Sequence, residues 1–190
     1  MVYGAGNQMI LLIQICKETF HYFEFVKPIE DILKKIKMVF KLIYYKDVND
    51  KILIETDKVI ICGTSLKDNS FLDDIDNFLW IKNFNKPILG ICGGMHILGL
   101  VFDGELNKQQ EIGLTKINFN KEFLKLKGST EVYELHNFYV NSDEFEVFAK
   151  SDICPQAIKH KNKPFYAVLF HPEVRNKEII ENFVLDSKIK

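Results

Sequence analysis

The sequence predicts an α/β fold: a flavodoxin-like open, mostly parallel central sheet with helices on both faces and antiparallel additions in the C-terminal half. Three observations lead to this prediction. In the first half, short apolar runs alternate with segments of helical period, which is the pattern of βαβ units. After Gly104 the pattern changes to short strand-like pieces separated by polar turns. With 190 residues, 47% of them hydrophobic, the chain can bury the core of one domain.

The first half contains four predicted strands and three predicted helical segments. In the first two helical segments the apolar residues fall on one face, so these helices are expected to pack on the sheet. The predicted strands are residues 9–16, 39–45, 58–62 and 87–91. The predicted helices are residues 29–38, 71–81 and 95–101.

The second half is predicted to add antiparallel strands to the same sheet and to close with a helix. The strands are residues 112–119, 132–135, 145–149, 157–160 and 165–170, and the helix is residues 176–183. No Pro/Ser-rich linker interrupts the chain, so residues 9–190 are expected to form a single domain. Residues 1–8 contain glycine and precede a second Met at position 9, and we predict a flexible extension there.

Charge and cysteine spacing exclude several classes of function. The net charge is −1, and Lys is interleaved with Asp and Glu, so no basic face predicts nucleic-acid binding. The longest apolar run near the N-terminus is far shorter than the roughly 20 residues that span a bilayer, and it lacks signal-peptide features. We therefore expect a cytoplasmic protein without membrane contact. The four cysteines form no CxxC pair, which predicts neither a metal site nor a disulfide framework.

The segment Gly90-Ile-Cys92-Gly-Gly94 follows a predicted strand and precedes an apolar helix, as a nucleophile elbow does. The residues two before and two after the nucleophile must be small in such a sharp turn, and both are glycine. The turn also places the sulfur at a helix N-terminus, where the free N–H groups favour the thiolate. The alternative is an ordinary glycine turn with Cys92 as a small buried hydrophobe.

A candidate base lies 79 residues later, where an apolar strand ends in His171-Pro172-Glu173. Histidine can accept the thiol proton and return it to a leaving amine, and a carboxylate can hold the ring in one tautomer. Because parallel strands end along one edge of a sheet, Cys92 and His171 can meet in the same crevice. The alternative is a structural histidine.

The two motifs together resemble the class I (triad) glutamine amidotransferases, and their order and separation fit across residues 9–185. The resemblance implies that Cys92 is the nucleophile, His171 the base and acid, and Glu173 the group that orients the histidine. The implied reaction is hydrolysis of the side-chain amide of L-glutamine through a γ-glutamyl thioester. It requires no cofactor in this chain.

The resemblance also implies an oxyanion hole made of two backbone N–H groups. One is that of Gly93, directly after the nucleophile, and each such donor is worth about 3 kcal/mol of barrier. The second is carried over onto Thr64, supported by Gly63, where Gly63-Thr-Ser replaces the usual Gly-Gly-Pro. The alternative for this segment is an ordinary βα turn.

The glutamine pocket implied by the family includes four further positions. His96 stands where Gln is common; it either contacts the substrate, with a titration near neutrality, or packs on its helix. His136, Asn137 and Phe138 match the segment that holds the α-carboxylate and α-amino groups of glutamine. The alternative for that segment is an edge strand with exposed polar residues.

Residues 151–171 are similar to the glutaminase subunits of two-chain GMP synthases. This similarity implies a separate ATP-dependent synthetase as partner, which would hold ATP and Mg²⁺. The chain departs from that subfamily in His136-Asn-Phe-Tyr-Val140 and in Leu169, which replaces a typical Gln. Two alternatives remain: a glutaminase for another synthetase, such as one making carbamoyl phosphate, anthranilate or a cobyric-acid-type amide, or a catalytically silent binding or regulatory subunit.

Overall fold

The computed structural model describes residues 8–189. Within this range there are nine strands: β1 Met9–Gln14, β2 Val39–Tyr44, β3 Lys58–Ile61, β4 Ile88–Ile91, β5 Glu105–Phe123, β6 Leu126–Asn141, β7 Phe145–Lys150, β8 Pro155–His160 and β9 Phe165–Val168. The α-helices of the same range are α1 Thr19–His21, α2 Lys27–Lys35, α3 Asp50–Glu55, α4 Gly93–Val101 and α5 Glu178–Leu185. None of these helices combines the length and the apolar character needed to cross a bilayer. The predicted N-terminal extension, except Gln8, lies outside the described residues.

All nine strands of the described range form one sheet in the order β2-β1-β3-β4-β9-β8-β7-β5-β6. The strands from β2 to β9 in this order are parallel, whereas the pairs from β9 onward are antiparallel. The predicted α/β architecture with antiparallel additions is therefore confirmed. The prediction of a mostly parallel sheet is corrected, because parallel and antiparallel pairings are equally frequent in this range.

Two apolar cores cover the parallel part of the sheet, one on each face. Alternate residues of β1 and β3 belong to opposite cores: Leu12 and Ile60 lie in one, Leu11 and Ile61 in the other. The first core is covered by α2 and α5, and the second by α4. Since side chains of a strand alternate between faces, both faces must be apolar, which explains the continuous apolar runs.

The predicted helix over residues 71–81 consists instead of two 3₁₀ segments, Ser70–Leu72 and Ile75–Asn83. Ile75, Phe78 and Ile81 are three residues apart, which matches the three residues per turn of a 3₁₀-helix. Phe78 and Ile81 are buried against the second core. Leu79, which was predicted on the same face, is 44% exposed. The burial of this face was thus predicted correctly only in part, and the type of helix was not predicted.

The short strands predicted over residues 112–119 and 132–135 are parts of one long antiparallel ribbon. β5 has 19 residues and β6 has 16, and they are joined at Leu124 and Lys125, both with positive φ. Such hairpin turns usually contain Asn-Gly or Gly, so no turn signal marks this position in the sequence. The helix α3 was also not predicted; it begins after Asn49, whose side-chain oxygen accepts the N–H of Ile52.

A buried lysine links the sheet to the last helix and provides a test of the fold. Lys58 on β3 is 2% exposed, and its Nζ donates to the carbonyls of Phe183, Val184 and Asp186 at distances of 2.9, 3.1 and 2.9 Å. We expect Lys58→Met to lower the free energy of unfolding by about 1–3 kcal/mol, because these carbonyls lose their donor. Urea denaturation measures the change. The exposed Lys51 provides the control variant Lys51→Met, and equal stability of the two variants would contradict this role.

Candidate active site

The turn between β4 and α4 holds Cys92 in a strained conformation, with φ 49° and ψ −103°. A non-glycine residue in such a conformation costs about 1–3 kcal/mol, which the surrounding packing must offset. A Cβ on Gly90 would lie 2.6 Å from the carbonyl carbon of Gly94, so these two positions are in direct contact. Both positions must therefore be small, as predicted, because a side chain on Gly90 would overlap the backbone of Gly94.

Cys92 occupies the N-terminal cap of α4. Its carbonyl accepts the N–H groups of Met95 and His96 at 2.8 and 3.2 Å, and its side chain is nearly buried. The thiol lies 3.7 Å from the carbonyl of Leu135 on β6, to which the S–H can donate weakly. The sulfur therefore lies at the positive end of a helix dipole and against the β5–β6 ribbon.

His171 and Glu173 form a buried pair behind the nucleophile. The Nδ1–H of His171 donates to Oε1 of Glu173 at 2.6 Å, and both side chains are fully buried. This bond leaves the Nε2 of His171 free, and that atom has no hydrogen-bond partner among the described residues. Phe25 packs on the imidazole with ring centroids 5.1 Å apart, a contact that no sequence motif indicates. The ring is thus fixed in orientation and tautomer.

Gly63 shows that the nucleophile and the histidine are neighbours. A Cβ on this residue would lie 2.7 Å from Cε1 of His171 and 3.2 Å from Cβ of Cys92. The three residues follow the carboxyl ends of β3, β4 and β9, which are adjacent parallel strands. Cys92 and His171 therefore lie together at one edge of the sheet, as predicted.

The charges around His171 favour its protonated form. Burial acts to lower the pKa of His171, but the neighbouring Glu173 carboxylate and Cys92 side chain outweigh it and raise the pKa well above its usual value. An imidazolium between a carboxylate and a sulfur is a proton donor ready for a leaving amine. The thiolate–imidazolium pair is the form that acts as a nucleophile.

A narrow, partly open cavity lies in front of Cys92, with a volume of about 10 Å³, which is the space of about one water molecule. It is lined by seven of the ten predicted site residues: Thr64, Cys92, Gly93, His96, His136, Asn137 and Phe138. The other three do not line it, because Gly63, His171 and Glu173 lie behind the nucleophile. The cavity is also lined by five residues that were not predicted as site residues, since they come from the segment after β3 and from the ribbon: Ser65, Leu66, Asn69, Phe71 and Leu135.

The residues that carry the predicted oxyanion donors both line the cavity in front of Cys92. Gly93 begins α4, and Thr64 is buried in the turn after β3. Among the described residues, no backbone carbonyl accepts the N–H of Thr64. The N–H of Thr64 is therefore not used by the backbone, and the assignment of both oxyanion donors stays a prediction.

His96 lies in the cavity wall but is held by the protein itself. The Nε2–H donates to the carbonyl of Phe138 at 2.9 Å, and Nδ1 has no partner among the described residues. Burial lowers the pKa of His96 to about 4, and the hydrogen bond to Phe138 opposes this shift. The suggested titration near neutrality is therefore wrong, and His96 is neutral at pH 7.

Residues 136–138 of β6 form the far wall of the cavity. Asn137 donates to the carbonyl of Leu66 at 2.9 Å and accepts from Gln110 at 2.6 Å, so it joins the ribbon to the turn over the cavity. His136 is buried, and its Nδ1 lies 3.2 Å from the carbonyl of Gln109. As the alternative supposed, β6 is an edge strand of the described sheet, but His136 is buried and Asn137 is half-buried, so these polar residues are not exposed. Their contact with substrate stays a prediction.

Comparisons with known proteins identify similar sequences. A model of the family "Glutamine amidotransferase class-I" matches residues 21–187. A glutamine-hydrolysing GMP synthase subunit of Picrophilus torridus is 31% identical over 72% of this chain and 80% of its own length. The corresponding subunit of Methanocaldococcus jannaschii is 39% identical over 53% of this chain and 60% of its own length. The matched part of this second relative is therefore less than two thirds of its length.

Solved structures with the same fold are also found. A protein of Thermoplasma acidophilum, described as a GMP synthase subunit, has a TM-score of 0.82 at 26% identity and covers 93% of this chain and 92% of its own. A glutamine amidotransferase of Thermotoga maritima has a TM-score of 0.70 at 18% identity, over 90% of this chain and 79% of its own. The second similarity concerns the fold alone.

The position of Gly63 gives a test of the geometry. We expect Gly63→Ala to separate His171 from Cys92, because the added methyl group would lie 2.7 Å from the imidazole. Alkylation of Cys92 by iodoacetamide at pH 7 should slow about tenfold, since the thiolate loses its cationic partner. In the control Gly128→Ala, the methyl group has nothing within 4 Å, and the strain of the positive φ of 75° falls on the β5–β6 hairpin rather than on the site. Wild-type alkylation of the Gly63 variant would contradict the arrangement.

The neutral state of His96 predicts how stability depends on pH. In the unfolded chain the pKa is expected near the ordinary value of 6.5, whereas in the folded protein it is about 4. As the pH falls between these values, the unfolded chain binds a proton that the folded protein does not, so the free energy of unfolding decreases. The largest possible slope is about 1.4 kcal/mol per pH unit. His96→Gln should make this decrease smaller in urea denaturation from pH 7 to 4; identical slopes would show that His96 contributes nothing.

Proposed function

Because the chain belongs to the class-I glutamine amidotransferase family, we propose that it hydrolyses the side-chain amide of L-glutamine at Cys92 and supplies the ammonia to a partner synthetase. The observation that carries this proposal is the buried His171–Glu173 pair at 2.6 Å, placed beside a cysteine on a strained elbow. A structural cysteine needs none of these features. Nucleophilic hydrolysis of an amide makes use of each of them.

The first step is attack of the Cys92 thiolate on the amide carbon of glutamine. The tetrahedral intermediate carries a negative charge on the former carbonyl oxygen. The N–H groups of Gly93 and Thr64 stabilise it, and each donor lowers the barrier by about 3 kcal/mol. Substrate positioning depends on the cavity wall formed by His96 and by residues 136–138.

The second step transfers a proton from His171 to the leaving nitrogen. The C–N bond then breaks, ammonia leaves, and the γ-glutamyl thioester remains on Cys92. His171, now neutral, accepts a proton from water as the water attacks the thioester, and glutamate is released. Glu173 keeps the ring oriented through both half-reactions by accepting from Nδ1.

We further propose that the recipient of ammonia is the ATP-dependent synthetase of a two-chain GMP synthase, which converts XMP to GMP. The names of the relatives in Picrophilus torridus and Methanocaldococcus jannaschii support this assignment. ATP and Mg²⁺ would then bind to the partner, and the glutaminase reaction would need no cofactor. The four free cysteines agree with a reducing, cytoplasmic location. The parallel strand order β2-β1-β3-β4-β9 supports the finer description as flavodoxin-like.

The two alternatives are less well supported. A catalytically silent protein would not need an intact triad, and this chain has Cys92, His171 and Glu173 in place. A glutaminase for another synthetase keeps the same site, but the two relatives named above are GMP synthase subunits. The replacement at His96 also does not remove the hydrogen-bonding capacity of that position.

The decisive experiment measures ammonia release from glutamine with and without the candidate synthetase. We expect Cys92→Ala to abolish release while leaving the circular dichroism spectrum unchanged, because the substitution removes little apolar surface. Cys62→Ala truncates another buried thiol and is the matched control. Ammonia release at the wild-type rate from Cys92→Ala would overturn the mechanism. Stimulation only by a different synthetase would overturn the GMP synthase assignment while leaving the glutaminase activity in place.

A further inference from the structure

A second group of buried polar side chains lies behind the cavity wall and shares one residue, His136, with that wall. Glu134 and His136 point to the same side of β6, and His136 is paired with Glu111 on β5. Cys154 reaches the group from the turn before β8, and its sulfur lies 3.2 Å from Oε2 of Glu111. We call Glu111, Glu134, His136 and Cys154 the ribbon cluster. Its members are 0% to 8% exposed.

The donor atoms of Glu111, His136 and Cys154 are close enough to share one ion, and Glu134 lies next to His136. The Nε2 of His136 lies 3.4 Å from a carboxylate oxygen of Glu111 and 3.4 Å from one of Glu134. The ligand atoms of Glu111, His136 and Cys154 all lie within 4.8 Å of one another. Four donors at zinc-ligand bond lengths are separated by roughly 3.3–3.7 Å, as the tetrahedral geometry requires. The three donors of Glu111, His136 and Cys154 would have to draw closer together, and Glu134 would have to move toward them to become the fourth ligand.

A second observation, independent of the spacing, also indicates a bound cation: several buried polar atoms of the cluster lack a hydrogen-bond partner among the described residues. Both carboxylate oxygens of Glu134 and the Nε2 of His136 are buried without a hydrogen-bond partner among residues 8–189. His136 directs Nδ1 to the carbonyl of Gln109, so in the neutral ring Nδ1 carries the proton and Nε2 presents a lone pair. A lone pair facing two carboxylates is repelled by both. A proton or a metal ion between them removes this repulsion.

We infer that the ribbon cluster is a structural zinc site, with Glu111, Glu134, His136 and Cys154 as ligands. A cysteine, a histidine and carboxylates select a borderline-soft ion rather than Mg²⁺ or Ca²⁺. The outer contacts also fit: Ser151 and Gln156 donate to the Glu111 carboxylate at 3.1 and 2.7 Å, and a backbone carbonyl orients His136. The ligands come from β5, β6 and the turn before β8, so the ion would fix the ribbon that forms the cavity wall.

The test uses the full chain carrying Cys92→Ala, which removes the catalytic thiol as a competing metal ligand. After treatment with a chelator, the protein is titrated with Co²⁺, followed by competition with Zn²⁺. We expect one ion per chain, with a tetrahedral cobalt spectrum and a thiolate-to-cobalt charge-transfer band. Cys154→Ser in this background should abolish the band and weaken binding at least tenfold, as expected for loss of a ligand. The control Cys62→Ser should keep both.

A second variant keeps the test decisive if Cys154→Ser does not fold. In Cys16→Ser/Cys62→Ser/Cys92→Ala, the sole remaining cysteine is Cys154, so a charge-transfer band can come only from that residue. Absence of stoichiometric Co²⁺ binding by the folded Cys92→Ala protein would overturn the proposal and indicate that a proton separates His136 from the carboxylates. Binding that Cys154→Ser leaves unchanged would overturn it as well. Since neither readout involves ammonia release, the result is independent of the proposed glutaminase activity.

Discussion

The strained turn at Cys92 is the constraint on which the site depends. The backbone must pass from β4 into α4 within one residue, and it does so only because Gly90 and Gly94 approach each other without side chains. The N–H of Cys92 still pairs with the carbonyl of Val168 on β9 at 2.8 Å, so the nucleophile is tied to the strand that leads to His171. The geometry of the turn therefore fixes the distance between nucleophile and base. Gly63 completes the arrangement because any side chain there would fill the space that His171 occupies.

The antiparallel ribbon supplies what the parallel sheet cannot. Parallel strands bring Cys92 and His171 to one edge, but an edge alone leaves the substrate open to water. β6 crosses this edge, and residues 136–138 close the cavity from the opposite side. Asn137 then joins the ribbon to Leu66 in the turn above the cavity. Access of glutamine thus depends on the contact between two segments that lie 71 residues apart.

The two buried histidines of the site show how neighbours decide the charge of a side chain. His171 and His96 are both shielded from water, which by itself lowers the pKa of each. His171 has the Glu173 carboxylate and the Cys92 sulfur beside it, and its pKa rises well above the usual value. His96 has a backbone carbonyl as its partner, and its pKa falls to about 4. The same residue type is therefore a proton donor in one place and a neutral hydrogen-bonding group in the other.

The sequence by itself determined the α/β class, the elbow at Cys92 and the His171–Glu173 motif, because each depends on residues that are close along the chain. These are the apolar runs, the glycines two residues from Cys92, and the histidine that follows a strand. The tertiary structure decided the rest. The β5–β6 ribbon turns at Leu124 and Lys125 without glycine, so no local signal marks it. The protonation of His96 depends on burial, and the ribbon cluster joins residues 111 and 154, which no sequence spacing relates. Burial, charge and long-range contact are properties of neighbours in space, which a pattern along the chain does not contain.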